Sequence, residues 1–416
     1  MNSTKYTFMA WLIWIVAAFF YSYELFLRVS PQAMVPELMQ AFEINAVAVS
    51  SLAAFYFYAY AGMQIPVGIL LDRYGIRRLL VFAAFLVAVG CLMFATTHRL
   101  SIAIIGRVFI GIGSAFSFVA CLKLASHWFP ARQLAMVIGL TNMCGVIGAI
   151  TAAVPLSILV ETLGWRETFW FAGIVGAVVG LLIWIIVRDR PTATEEDRGS
   201  ENTKNVWRGI RCVISRGSSW RVAAFGGLMV APIIAFTELW SIPFLMALHH
   251  LDKIDAAGLA STVFWGIAIG GPVQGWISGR LGYRKPIMAL GAVGALLSLT
   301  SVIYWVGLSF MELRILLFLF GFFTSSMLLI FAINTESNPS YASGVAIGFT
   351  NMVIMAGGAL FQPLVGLLLD ATAETGTDFS VLSYQWALSV LPLCQLGALL
   401  LLGFIDETYC QQCQED

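Results

Sequence analysis

Gly68-Ile-Leu-Leu-Asp72-Arg73-Tyr-Gly75-Ile-Arg77-Arg78 interrupts apolar sequence with a short polar loop joining two long hydrophobic segments. A second copy, Gly275-Trp-Ile-Ser-Gly279-Arg280-Leu-Gly282-Tyr-Arg284-Lys285, stands 207 residues further on, with both outer glycines, the arginine and the final basic pair retained. Each copy follows the second hydrophobic segment of its half, so the chain reads as a duplicated membrane domain. The repeat extends outward from these loops. Arg107 and Arg314 are again 207 residues apart, each near the start of the fourth hydrophobic segment of its half. Gly139-Leu-Thr-Asn142-Met and Gly348-Phe-Thr-Asn351-Met lie 209 residues apart, and each leads through Gly148 or Gly357 to Pro155 or Pro363.

Composition sets the class. Hydrophobic residues make up 59% of the 416, charged residues only 11%, and the mean hydropathy is +0.86. A soluble domain carries about a quarter charged residues, so this is an integral membrane protein whose first partner is the lipid bilayer. Its 38 glycines suit close helix approach where lipid supplies little drive for association. The net charge is zero, and nothing points to nucleic acid. The apolar run from Phe8 continues too far for a cleaved leader and lacks a small-residue cleavage site, so it is expected to remain as the first membrane helix.

Apolar stretches of about 20 residues predict twelve transmembrane helices, at 8–38, 46–71, 79–97, 101–128, 133–160, 166–187, 221–248, 256–278, 286–308, 312–335, 342–369 and 384–405. The chain therefore divides into a first six-helix bundle (1–187), a polar linker (188–220) and a second six-helix bundle with a short tail (221–416). The linker is too short to bury a core of its own, and its 206–214 stretch is expected to form a short helix on the membrane surface. Lys5, Arg73, Arg77, Arg78, Arg132, the linker basics, Arg280, Arg284 and Lys285 fall on one side if the amino terminus is inside. Arg99, Arg166, Lys253 and Arg314 are left for the other. The positive-inside rule then makes both termini cytoplasmic.

An ionisable group inside a membrane helix is costly unless paired or hydrated, so each one is a candidate. Glu24 and Arg28 stand four residues apart on one face of the first helix. Arg28 either receives an anionic group of a solute while Glu24 exchanges a proton, or the two form a permanent internal ion pair. Glu238 has no cation within one turn in the seventh helix, and is either a second proton site or lies at a hydrated mouth. Lys123 lines a cavity or snorkels to the inner surface. Tyr21, Tyr58, Gln64, Asn142, Trp265, Asn351 and Gln362, with Tyr56, Tyr60 and Gln274 beside them, supply rings and amides that orient a small solute or, equally, bond between helices. Glu161, Glu336 and Asp370 sit at helix ends and are expected to be solvated. Cys410 and Cys413 form a Cys-x-x-Cys pair in the acidic tail with no further metal ligands nearby. Among enzyme signatures, no phosphate-binding loop, nucleophile triad or His-rich cluster is found, so no enzyme activity, cofactor or ATP drive is expected.

The polar loop at Gly68 resembles the signature of the major facilitator superfamily, Gly-x-Leu-Ala-Asp-Arg-x-Gly followed by basic residues. Gly68, Leu70, Asp72, Arg73 and Gly75 match it, while Leu71 and Ile76 depart from it. Arg107-Val-Phe-Ile-Gly111-Ile-Gly113 resembles the family's fourth-helix pattern, and the run from Gly139 to Pro155 its fifth-helix pattern without the central Gly-Pro. The resemblance covers essentially the whole chain. It implies two pseudo-symmetric bundles of six helices, a solute site between them near the midplane, and a monomer of the inner membrane. It also implies that Arg107 faces the cavity and binds the solute with Arg28, and that Gly68, Asp72, Arg73, Gly75, Arg77 and Arg280 form a conformational latch in which Asp72 meets the start of the eleventh helix.

Tyr23 to Arg28, followed by Pro31, Met34, Pro36, Glu37 and Leu38 and by Gln64-Ile-Pro66, is most similar to the anion:cation symporters of small organic acids. That likeness implies proton-coupled uptake of a carboxylate-bearing metabolite. The family usually has an acidic residue directly before the first-helix arginine and a glutamate after the fourth-helix glycines; Leu27 and Ser114 stand there instead. Glu24 would have to serve as proton carrier. A drug or metabolite exporter, a peptide or amino-acid carrier, and a non-transporting membrane sensor remain open.

Overall fold

In lipid, a segment must satisfy its own backbone hydrogen bonds, which a helix does without a partner strand. The computed structural model describes residues 3–129, 131–189, 200–339, 342–372 and 379–411. It holds twelve helices long and apolar enough to cross a membrane: α1 (Phe8–Ala33), α2 (Ala46–Leu71), α3 (Ile76–Thr96), α4 (Leu100–Trp128), α5 (Met136–Leu163), α6 (Trp165–Ile186), α7 (Gly217–His249), α8 (Lys253–Leu281), α9 (Lys285–Tyr304), α10 (Phe310–Glu336), α11 (Gly344–Thr372) and α12 (Val381–Leu402). Their ends lie within a turn or so of the expected positions except that α1 stops at Ala33, short of the expected 38, and the described residues contain no strand. The chain is an all-α, multi-pass membrane protein.

Several spans are interrupted, and the interruptions differ between the halves. At its end α1 tightens into a 3₁₀ turn at Ser30–Ala33, around Pro31. A short helix, Val35–Phe42, follows and is closed by Glu43 in the left-handed region (φ 53°). In α5 the helix breaks before Pro155, which takes the first turn of a new segment, Val154–Leu163. Pro363, its counterpart, sits inside an unbroken α11. After Pro232, α7 widens into a π-helical stretch, Ile233–Trp240, before resuming as Ser241–His249. In α10 a 3₁₀ turn occupies Ser325–Leu328.

The helices form two compact units. One comprises Met1–Ser30 with Phe55–Ser200; the other comprises Pro31–Ala54 with Glu201–Asp416. In the first, α3 packs on α4 and α6, while α1 packs on α4, α5 and α6. In the second, α7 packs on α11 and α12, α8 on α10, and α9 on α10 and α12. One crossing shows the repeat at atomic scale. A Cβ on Gly111 of α4 would lie 2.3 Å from the Tyr56 carbonyl of α2, and one on Gly321 of α10 would lie 2.0 Å from the Val263 carbonyl of α8. Tyr56 and Val263 are 207 residues apart, the repeat length of the signature loops, and the two glycines 210, so the crossing recurs with its glycine about one turn further along. Only glycine allows either approach.

Two expectations change. The linker helix runs over Ser200–Ser215 and does more than lie on a surface. Its buried Val213 packs with Ala223, Ala342, Ala346 and Phe349, and Arg216 donates to the Ser337 carbonyl at 2.5 Å. Asp370 and Glu336, expected to be solvated, are both engaged. Asp370 accepts the backbone N–H groups of Ala46 and Val47, at 2.9 and 2.8 Å, at the start of α2. Glu336 pairs with Arg284 at 2.7 Å. Asp370 has found backbone donors that a helix start leaves unpaired, and Glu336 a guanidinium.

Candidate functional site

The first unit buries a polar cluster where α1, α2 and α4 meet. The glycine crossing at Gly111 brings α2 and α4 close enough for short side chains to reach α1. Glu24 of α1 is 1% exposed. Its Oε1 accepts the Tyr56 hydroxyl of α2, and its Oε2 accepts the Ser117 hydroxyl of α4 at 3.0 Å. Ser117 also lies 2.8 Å from the Ser114 carbonyl one turn back. Arg107 of α4 is fully buried. It donates from Nη1 to the Leu27 carbonyl at 3.0 Å and places its guanidinium 5.1 Å from the centre of the Tyr56 ring. Tyr56 therefore touches the cation with its face and the carboxylate with its hydroxyl, a use of both ends of the side chain. Arg28 is half-buried, with its guanidinium 5.0 Å from the Phe57 ring centre. Tyr21 packs against Phe118 with ring centres 5.1 Å apart.

Of the residues singled out from sequence, Tyr21, Glu24, Arg28, Tyr56 and Arg107 come together here. Gln64 is buried two turns along α2 from Tyr56. Tyr58, two residues from Tyr56, is turned away, 36% exposed and edge-on to Phe55. Asn142 is exposed on α5. Ser117 was not anticipated. The available signal was its spacing, three residues beyond Ser114 and so on the same helix face.

In the second unit, Glu238 is 3% exposed and lies within the π stretch of α7. Such stretches free a carbonyl from the regular ladder and are frequent at functional sites. Gln362 of α11 donates its amide to the Ile234 carbonyl at 2.8 Å, so it braces this stretch. Asn351 is half-buried on α11, and Trp265 is 51% exposed on α8.

The signature loops cap helices within their own halves. Gly75 has φ 85° and Gly282 φ 73°, a backbone region that favours glycine. Beyond Gly75, the N–H groups of Ile76 and Arg77 both donate to Asp189 Oδ1 at 3.0 Å. Beyond Gly282, the N–H groups of Arg284 and Lys285 donate to Glu407 at 2.9 and 2.8 Å. An acidic residue just past the last helix of each half thus caps that half's third helix. Neither was read from sequence, because each stands in a polar stretch with nothing local to mark it. Arg77 donates to the Trp184 carbonyl and lies over the Trp184 ring at 4.6 Å. Arg73 lies over Tyr74 at 5.3 Å and Arg280 over Trp276 at 5.5 Å. Lys123 reaches the Gly68 carbonyl at 3.3 Å. The Asp72 side chain and Cys413 lie outside the described residues.

Comparison with known proteins bears on the family and the fold. The family profile described as Major Facilitator Superfamily matches residues 13–362. The membrane sensor protein UhpC of Escherichia coli is 24% identical over 95% of this chain and 91% of its own length. The probable galactarate/D-glucarate transporter GudP of the same organism is 22% identical over 87% of each chain. The drug efflux pump JefA of Mycobacterium tuberculosis is 29% identical over 42% of this chain, a match spanning only a third (33%) of the pump. Among solved structures, a bacterial homolog to the human lysosomal transporter Spinster superposes with a TM-score of 0.71 at 16% identity, covering 95% of both chains.

Proposed function

The chain belongs to the major facilitator superfamily, and from that premise we propose that it is a secondary active transporter importing a small carboxylate-bearing solute together with a proton. It works from the inner membrane as a monomer, with both termini in the cytoplasm, and alternates access between its two halves. The observation that carries this reading is the cluster at Glu24. A carboxyl group and two guanidinium groups are placed inside the apolar part of one unit, at a cost that packing alone does not repay. Arg28, the less buried of the two arginines, receives the solute carboxylate. Arg107, bonded to the Leu27 carbonyl one residue before Arg28, holds that stretch of α1 in position. Glu24 carries the proton, and Glu238 is a second protonatable group braced through the π stretch by Gln362. Support for an organic acid comes from the relative named as a probable galactarate/D-glucarate transporter, matched along most of both chains.

The test is uptake into liposomes holding the purified protein, using labelled D-glucarate, an aldonate and a sulfonate, with and without an imposed inward proton gradient. Accumulation that requires the gradient supports the reading. A second reading, a sensor, is favoured by the length of the match to UhpC. It predicts binding of such acids, seen as a raised unfolding temperature, with no flux.

A further inference from the structure

We propose that Ser117 is the positioning residue that lets Glu24 gain and lose a proton at Oε2 while the Ser117 hydroxyl stays hydrogen-bonded in both states. The assignment rests on the reading of Glu24 as the proton carrier. The Ser117 hydroxyl has one proton and two acceptors in reach, Glu24 Oε2 at 3.0 Å and the Ser114 carbonyl at 2.8 Å. It donates to only one at a time, while its oxygen can also accept. With Glu24 ionised, Ser117 donates to the carboxylate. When a proton from water arrives on Oε2, the new O–H donates to Ser117 Oγ, and the Ser117 proton turns to the Ser114 carbonyl. No heavy atom moves; only the Ser117 hydroxyl rotates. Throughout, Tyr56 keeps donating to Oε1. A buried carboxyl without such a device would orphan a donor in one state or an acceptor in the other, at about 1–3 kcal/mol.

Titratable and charged groups surround Glu24 on α1, α2 and α4. Tyr21 and Arg28 of α1 and Tyr60 of α2 share its electrostatic surroundings with Tyr56. Cys121 of α4 is within electrostatic range of Glu24 and of Cys144 of α5. Arg107 of α4 reaches the same cluster through the Tyr56 ring. From α6, the contact with α1 runs through Tyr23, whose hydroxyl donates to the Ala172 carbonyl at 2.6 Å. Ser117 differs from Tyr56, whose hydroxyl is also bonded to Glu24, in having a second acceptor within reach, the Ser114 carbonyl.

The full chain in detergent, with no solute added, is titrated while the infrared C=O stretch of protonated carboxyl groups is recorded. Glu24→Gln identifies the band by removing it. Ser117→Ala is expected to move that band's midpoint to higher pH by about one unit, since the ionised form loses a charge-assisted bond and the neutral acid only an ordinary one. Ser117→Thr, which keeps the hydroxyl, is expected to hold the original midpoint. Ser117→Cys, with a weak donor of similar size, is expected to shift it in the same direction as alanine, and stands in should the alanine variant fail to fold. A midpoint unmoved in Ser117→Ala and Ser117→Cys, or moved equally in Ser117→Thr, overturns the relay while leaving Glu24 as the proton carrier. If no band is sensitive to Glu24→Gln at any pH, the reading of Glu24 itself fails.

Discussion

Arg28 and Arg107 carry the same charge and differ in what surrounds them. Arg107 is fully buried, bonded to a carbonyl and stacked on Tyr56, whereas Arg28 is half-buried against Phe57. A planar guanidinium grips a carboxylate through two parallel bonds, which an ammonium cannot copy. Arg28→Lys is therefore expected to raise the half-saturating concentration for D-glucarate roughly 10- to 100-fold with folding intact, consistent with losing about 1.5–3 kcal/mol. Arg107→Lys is expected instead to lower the thermal midpoint of the purified protein, because it removes a buried bond and the stacking together. Equal loss of affinity in both, with no change in midpoint, would put Arg107 in contact with solute. Glu24→Gln is expected to abolish gradient-driven accumulation and to spare exchange of labelled for unlabelled solute at equilibrium. Persistent uphill accumulation removes Glu24 from the coupling.

Helix ends explain where the remaining acids went. The first turn of a helix presents unpaired N–H groups and a partial positive charge, and a carboxylate satisfies both. Asp370 does this for α2, Asp189 for α3 and Glu407 for α9. Other bonds tie residues 31–54 into the same unit. Lys253 pairs with Glu37, Trp240 donates to the Ser50 hydroxyl at 3.2 Å, and Ser241 donates to Gln32 at 3.4 Å. Asp370→Asn keeps one acceptor and loses the charge, so it is expected to cost about 0.5–2 kcal/mol, measured as a lower unfolding midpoint. Asp370→Glu should recover part of it. Gly75→Ala combines a positive φ with a Cβ 2.9 Å from Asp189 Oδ2. It is expected to destabilise by about 1–2 kcal/mol, and in the same assay Gly68→Ala, where a Cβ meets open space, is expected to be nearly silent.

At the scale of the molecule, charge distribution makes a prediction independent of the site. The orientation we propose, with the linker, the signature loops and both termini on the cytoplasmic side, rests on the basic residues concentrated in those segments. A protease-cleavable tag after Asp416 should be cut in inverted membrane vesicles and protected in intact spheroplasts. The reverse pattern would invert the orientation proposed here. The repeat is also a whole-molecule property, and it is not perfect. Asp72 has Gly279 as its counterpart, the break at Pro155 has no match at Pro363, and the π stretch belongs to α7. Duplication fixes the crossings, as at Gly111 and Gly321, and leaves the polar machinery free to diverge.

The sequence by itself determined the number of helices, their approximate ends, the duplication and the family. These follow from local quantities: the length of apolar runs, the placement of glycines, and the loops where arginine and lysine are retained. It also marked Glu24, Arg28 and Arg107, since a charge inside an apolar run stands out against its neighbours. Only the tertiary structure decided that Tyr56 and Ser117 hold Glu24, that Arg107 braces α1, and that Asp189, Glu407 and Asp370 cap helices far along the chain. Helices apolar on every side give no period from which to read their rotation. Which side chain meets which was therefore settled by close crossings between helices distant in sequence.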